Sequence, residues 1–264
     1  MRIGVIGCGW LGLPLAERLV HEGHIVFGTT MSYEKIQLLK DKGITPFLVE
    51  LNEEHVSDVF NDMLKEIDVL VVNIPPGLRK NPKSNFIKKI KLLINYIEKS
   101  ELTKVLFVSS TSVYGGNQGL VNEDISPIPN TESGRQLVEC ENMFISNNGF
   151  KTAIIRFAGL IGNDRHPINF LSGREGIKGG NDYINLIRLE DCIDLILKIL
   201  RTDRFPFVLN GVFPSSLTKK EYYTKIAQQR NMELPCFMDD SRKIHRKKIE
   251  TKYLEYQGVF SICK

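Results

Sequence analysis

The chain alternates short, largely apolar runs with amphipathic stretches. Runs rich in Val and Ile fall at residues 3–6, 25–27, 45–49, 69–73, 105–108 and 152–157. Continuous apolar runs of this length suit strands buried on both faces of a parallel sheet. Between them, segments 11–21, 33–42, 55–65, 83–100 and 131–147 read as helices. In the fourth, Phe86, Ile87, Ile90, Leu93, Ile94 and Ile97 recur at helical spacing with lysines opposite, so one face is apolar. Strand–helix alternation predicts right-handed crossovers and an α/β doubly wound parallel sheet.

The pattern changes after residue 157. Gly, Asn, Pro and Arg become dense through residue 180, followed by a short strand near 183–188, a helix over 189–200 and a strand at 207–210. Thr218 is placed to cap a helix ending near residue 229, with Glu221 at the reciprocal capping position. The expected division is residues 1–157 as a nucleotide-binding domain. Residues 158–264 form mainly a smaller substrate-side lobe, with segments returning to the sheet. Ligands of open α/β sheets bind at the carboxyl ends of the strands, where that lobe would sit.

The first strand runs straight into Gly7-Cys8-Gly9-Trp10-Leu11-Gly12 and then into the first helix. That is the context a dinucleotide-binding turn requires. Gly7 permits the tight turn, Gly9 lets the backbone approach a pyrophosphate, and Gly12 lets helix and strand pack closely. The helix N-terminus then holds the phosphates, and Pro14 falls where its missing N–H costs little. A Rossmann-type sheet binding NADP or NAD is the expectation. After the second strand, Gly28-Thr29-Thr30-Met31-Ser32 offers no carboxylate until Glu34. A carboxylate there would grip a ribose hydroxyl and repel a 2′-phosphate. Its absence, with Thr29, Thr30, Ser32 and Lys35 as donors, leans towards NADP. Ile74 and Pro75, just beyond the fourth strand, complete the cofactor-binding set. Cys8 borders a helix N-terminus, which would lower a thiol pKa, but the plainer reading is a small residue that fits a tight turn. Trp10 packs near the pyrophosphate or at a dimer surface.

Composition narrows the remaining classes. Among 264 residues, 42% are hydrophobic and 25% charged, which is ordinary for a folded globular protein. With 35 Lys+Arg against 31 Asp+Glu, the net charge of +4 is too weak to argue for nucleic acid or a membrane as partner. The late basic cluster Arg242, Lys243, Arg246, Lys247 and Lys248 reads as a solvated face. Five cysteines without a CxxC suggest neither a disulfide framework nor a metal site, and fit reduced thiols in a cytoplasmic protein. No run of 18 apolar residues and no signal peptide is evident.

With Val108-Ser109-Ser110-Thr111-Ser112-Val113-Tyr114-Gly115 after the fifth strand, the chain resembles the extended short-chain dehydrogenase/reductases, the NAD-dependent epimerase/dehydratase family. The resemblance takes in the Gly-rich turn and Glu123-Asp124 before Pro127 and Pro129. It continues through Ile155-Arg156-Phe157-Ala158-Gly159-Leu160-Ile161-Gly162 and Asn185-Leu186-Ile187-Arg188-Leu189-Glu190-Asp191. It implies that Ser110, three residues before the Val of Val-Tyr-Gly, hydrogen-bonds a substrate oxygen as its charge changes. The plainer role for such a serine is to satisfy turn backbone.

One element of that pattern is missing. The family carries Tyr and Lys four residues apart on one helix, the Lys favouring a tyrosinate that exchanges a proton near neutral pH. Here Ser133 and Leu137 stand at those positions, and none of the eight tyrosines has a lysine four residues on. Replacement candidates are Ser133 itself, Tyr114 near the nicotinamide end, and His166, expected in a loop bordering the substrate cleft. Arg156, Arg165 and Arg174 are candidates for anion recognition or ordinary ion pairs, and Asp124 and Asp191 for loop braces. The reading is an atypical oxidoreductase or epimerase acting on a small polar or sugar-nucleotide substrate. The alternative is a non-catalytic NADP(H)-binding sensor or regulatory subunit. Helices 83–100 and 131–147 would pair in a homodimer, as extended members of the family commonly do.

Overall fold

The computed structural model describes residues 1–162, 164–238 and 247–257. The first half runs β1 (Arg2–Ile6), α1 (Gly12–His21), β2 (Ile25–Thr30), α2 (Lys35–Asp41), β3 (Thr45–Leu48), α3 (Val59–Glu66), β4 (Val69–Val72) and α4 (Phe86–Glu98). The chain continues through β5 (Lys104–Ser110), a 3-10 turn (Thr111–Val113), β6 (Leu120–Val121), α5 (Glu132–Ile145), β7 (Lys151–Phe157) and β8 (Gly159–Ile161). It closes with α6 (Ile168–Leu171), β9 (Leu186–Arg188), α7 (Leu189–Thr202), β10 (Phe207–Gly211), α8 (Lys219–Gln229), β11 (Lys248–Ile249) and α9 (Leu254–Gln257).

Seven strands form one sheet in the order β10-β7-β5-β4-β1-β2-β3, and every neighbouring pair is parallel. Strands β1 to β3 march one way and β4, β5, β7 and β10 the other. The order therefore reverses between β1 and β4, where open sheets of this kind leave a binding crevice. The continuous apolar runs explain the sheet's burial: Ile3, Val5, Leu70, Val71, Val72, Val105, Leu106 and Phe107 are all inaccessible or nearly so. β2 and β5 outrun their apolar stretches, extending through Thr30 and Ser110. Their polar ends thus reach the carboxyl edge of the sheet.

The structure shifts some expected boundaries. The helix expected over 55–65 begins at Val59, because Asn52 Oδ1 accepts the N–H groups of Glu54 and His55 and turns the chain there. After residue 157 the chain returns to the main sheet: α7 packs against α1, and β10 pairs with β7. A separate small core gathers Ile168, Ile184, Tyr223, Ala227 and Phe237. β8 pairs with β9, and β11 pairs with β6. Of the late basic cluster, Arg242, Lys243 and Arg246 lie outside the described residues. Lys247 and Lys248 are half-buried rather than solvated.

Candidate functional site

The glycine turn has the shape of an anion cradle. Gly7 adopts φ +89°, and a Cβ there would lie 2.4 Å from the Asn73 carbonyl oxygen. A Cβ on Gly12 would lie 2.1 Å from the Gly7 carbonyl oxygen, so only glycine lets α1 sit this close to β1. The turn is pinned from two strands. Gly7 N–H donates to Thr29 Oγ1 at 3.1 Å, Cys8 N–H donates to the Thr29 carbonyl at 3.2 Å, and Asn73 Nδ2 donates to the Gly7 carbonyl at 3.1 Å. Gly9 is exposed, and nothing lies within 4 Å of where its Cβ would be. No side chain caps α1, and its first turn carries no acidic residue. Uncapped N–H groups, the positive end of the helix dipole and a Cβ-free approach suit a diphosphate. These residues fit the NAD(P) expectation: Gly7 to Gly12 would hold the pyrophosphate.

The other residues expected at this end divide by role. Leu11 is buried in the core and Trp10 is half-buried. The Trp10 indole Nε1 donates to Asp164 Oδ1 at 3.0 Å, and the Arg165 guanidinium stands 5.0 Å from the centre of the Trp10 rings. Cys8 follows the plainer of its two readings: burial pushes its thiol up to about 12, outweighing the hydrogen bonding at Thr29 and the charge of Lys35. It is a packing residue. Thr29 is committed to Gly7, and Thr30 Oγ1 accepts the Ser32 N–H at 3.0 Å, both threonines being buried. Of the four donors expected for a 2′-phosphate, half-buried Ser32 and exposed Lys35 are left open to solvent. Ile74 is half-buried, with its Cγ2 against Gly7, and Pro75 is exposed beside it. Asn73, which fixes the turn, carries no motif signal and was not anticipated.

A second group lies where β5 ends. Half-buried Ser110 accepts the Ser112 N–H on Oγ at 3.1 Å and so opens the 3-10 turn, and among the described residues no group accepts its own proton. α5 seats against this turn at Gly134, where a Cβ would lie 2.3 Å from the Ser112 carbonyl oxygen. Ser133 is half-buried at that contact. Leu137 is a core residue at 3% exposure, so a lysine there would have to bury its stem in packed side chains.

Tyr114 departs from the catalytic expectation. Its side chain is 1% exposed and its hydroxyl donates towards the Asn122 carbonyl and Asn210 Oδ1, at 3.0 and 3.2 Å. The sequence shows no cation near it, yet Arg156 Nη1 donates to that hydroxyl at 2.7 Å. Burial raises the phenol pKa, only partly opposed by Arg156. Tyr114 is therefore a brace with no free path to a substrate proton. Arg156 also forks onto Glu141, with Nη2 to Oε2 at 2.6 Å and Nε to both oxygens at 3.1 Å, and Ser109 Oγ donates to Glu141 Oε1 at 2.5 Å. Its role is a buried ion pair, not anion recognition.

His166 departs as well. The imidazole is 4% exposed in the small core, with Nδ1 accepting the Ile168 N–H at 3.1 Å and Nε2 lying 3.1 Å from the Tyr222 hydroxyl. Burial, with Arg230 nearby, lowers its pKa to about 4, so it is neutral at physiological pH. Arg174 is exposed. Asp191 pairs with Arg188 at 3.4 Å, and Asp124 pairs with Lys252. One residue at the Ser110 turn escaped the sequence reading as a site residue: Lys247, whose Nζ donates to the carbonyls of Thr111 and Tyr114. Among the described residues no group of three His, Cys, Asp or Glu side chains is placed to hold a metal ion, and no helix is long and apolar enough to cross a membrane.

Comparison with known proteins agrees with this geometry. Residues 2–120 match the family model for the NAD binding domain of 6-phosphogluconate dehydrogenase. Protein YeeZ of Escherichia coli (strain K12) is 32% identical over 238 residues, spanning 89% of this chain and 86% of that protein. The chloroplastic epimerase family protein SDR39U1 homolog of Arabidopsis thaliana is 23% identical over 233 residues, spanning 81% of this chain and 67% of that one. The chain belongs to the extended short-chain dehydrogenase/reductase family. Within that family it is atypical: none of its eight tyrosines has a lysine four residues on. The fold is the family's too. UDP-glucuronic acid 4-epimerase from Bacillus cereus, solved in complex with NAD, superposes with a TM-score of 0.76 at 19% identity, covering 98% of this chain and 90% of that one. As a member of the family with an intact glycine turn, the chain has an NAD(P)-binding fold.

Proposed function

We propose that this protein is an NAD(P)-dependent oxidoreductase or epimerase-like enzyme acting on a small polar or sugar-nucleotide substrate. The observation that carries the reading is the open face at Gly9, ahead of an uncapped helix N-terminus, on the same carboxyl edge of the sheet where β5, two strands away, ends in Ser110. A bound nicotinamide supplies hydride exchange. The chain's own residues do the rest: Gly7 to Gly12 bind the diphosphate, and Ser110 donates its uncommitted proton to a substrate oxygen. The sugar-nucleotide class is supported by the fold neighbour from Bacillus cereus, whose structure was also solved with UDP-glucuronic acid and NAD.

NADP is the preferred form in this reading. No carboxylate follows β2, and Ser32 and Lys35 stay open to solvent where a 2′-phosphate would project. Titration calorimetry with NADPH and NADH tests it. NADPH should bind more tightly, and Lys35→Ala should weaken NADPH and leave NADH unchanged. A clear NADH preference refutes the lean, and no heat with any pyridine nucleotide refutes the function.

Turnover is tested with a panel of carbonyl compounds and nucleotide sugars. Ser110→Ala should slow turnover without changing nucleotide affinity. Tight NADPH binding with no turnover across the panel would favour the alternative of a nucleotide sensor or regulatory subunit, which the apolar Leu137 position also suits.

A further inference from the structure

Lys247 reaches the Ser110 turn from far along the chain. Its Nζ donates to the Thr111 carbonyl at 2.9 Å and the Tyr114 carbonyl at 2.7 Å, straddling the one-turn helix that Ser110 caps. The lysine is held there by its backbone. Its N–H donates to the Gly116 carbonyl at 3.2 Å, and its carbonyl accepts from Asn185 Nδ2 at 2.9 Å. Asn185 Oδ1 in turn accepts the Ile249 N–H at 2.9 Å, and Lys248 and Ile249 stand in register with Leu120 and Val121. An ammonium bound to two carbonyls fixes both with charge-assisted bonds, stronger than neutral ones.

We propose that Lys247, the residue directly before β11, is the positioning cation of this active site, in place of the lysine that Leu137 replaces on α5. It acts through Ser110, holding the turn that presents that hydroxyl. This rests on the functional reading above.

The surroundings tune the group. Burial lowers its pKa to about 8, and the positive charge of Lys219 at the start of α8 adds to the effect. Lys219 itself is paired with Asp182 at 3.0 Å. On its own segment, Lys248 is paired with Glu250 at 2.7 Å and stands over the Tyr183 ring. From the turn, the ionisable group is Tyr114, whose hydroxyl is occupied by Arg156. The turn should therefore be gripped firmly below pH 8 and loosened above it.

NMR of the full chain labelled at lysine Cε and at backbone nitrogen tests this directly. One lysine signal, absent in Lys247→Arg, should titrate near pH 8, well below the ~10.4 of ordinary lysines. The amides of Ser112, Tyr114 and Gly116 should follow the same midpoint. Lys219→Ala, which leaves Lys247 in place, should move the lysine and amide midpoints upward together. A midpoint near the ordinary value, or turn amides that ignore it, overturns the proposal.

Function supplies the second readout. Lys247→Met should cut kcat by about 100-fold through a misplaced Ser110 while NADPH affinity holds. Lys247→Arg should keep most of the rate and move the alkaline limb of the kcat–pH profile upward. Equal loss in both variants with an unmoved limb also overturns it. Absence of any nucleotide binding by the wild-type chain would sink the functional reading instead, and the NMR titration would still decide whether Lys247 grips the turn.

Discussion

Trp10 Nε1 donates to Asp164 Oδ1 at 3.0 Å, tying the second half of the glycine turn to the loop after β8. Trp10 is the only tryptophan in the chain. Its fluorescence should therefore change when a pyridine nucleotide binds, with NADPH saturating the signal. Asp164→Ala should alter the starting emission without abolishing saturation. An unchanged spectrum at saturating NADPH would place the ligand elsewhere.

Gly9 and Gly12 should separate binding from folding. Gly9→Ala adds a methyl to open space, so thermal stability should hold while nucleotide affinity falls by about tenfold or more, ~1.4 kcal/mol. Gly12→Ala drives a methyl against the Gly7 carbonyl and should lower both stability and affinity. Calorimetry with thermal denaturation on each variant checks the contrast.

Arg156 and Glu141 are 7% and 2% exposed at the side chain, and each is the other's main partner. Removing one leaves the other charged and buried. Arg156→Met should destabilise the fold by roughly 3–5 kcal/mol, read from urea denaturation. Glu141→Gln keeps one oxygen for Ser109 and Arg156 Nε but sets an amide NH2 against Nη2 and leaves the guanidinium uncompensated, so it should also destabilise the fold markedly.

His166 gives the fold an acid limb. Its folded pKa, about 4, lies below its ordinary 6.5, so the unfolded chain takes up the proton first as pH falls. Stability from this group is complete above pH 6.5 and drains away towards pH 4, by up to ~3 kcal/mol. His166→Gln should flatten that part of the stability–pH curve. An equally steep curve in the variant would assign the limb to other groups.

What the sequence made legible were features written in neighbouring residues. The apolar runs located the sheet strands, and the capping box at Thr218 and Glu221 is present in both halves, at 3.2 and 2.7 Å. The glycine turn was readable because its three glycines meet constraints within six positions. Properties set by packing were not readable. Cys8 borders a helix N-terminus, but enclosure by the core governs its thiol. Tyr114 gains its cation from Arg156, 42 residues away, and His166 is enclosed by Tyr222, 56 residues on. Lys247 lies 136 residues from Thr111 on a segment whose strand is only two residues long, below any periodicity.

Glu123 shows how late the site is completed. Its carboxylate accepts from Asn210 N–H and Thr251 Oγ1 on one oxygen and from Lys252 N–H on the other. On a ribosome, the glycine turn and β5 emerge well before these partners exist. The brace at Glu123 therefore closes last, once residue 252 has docked against it.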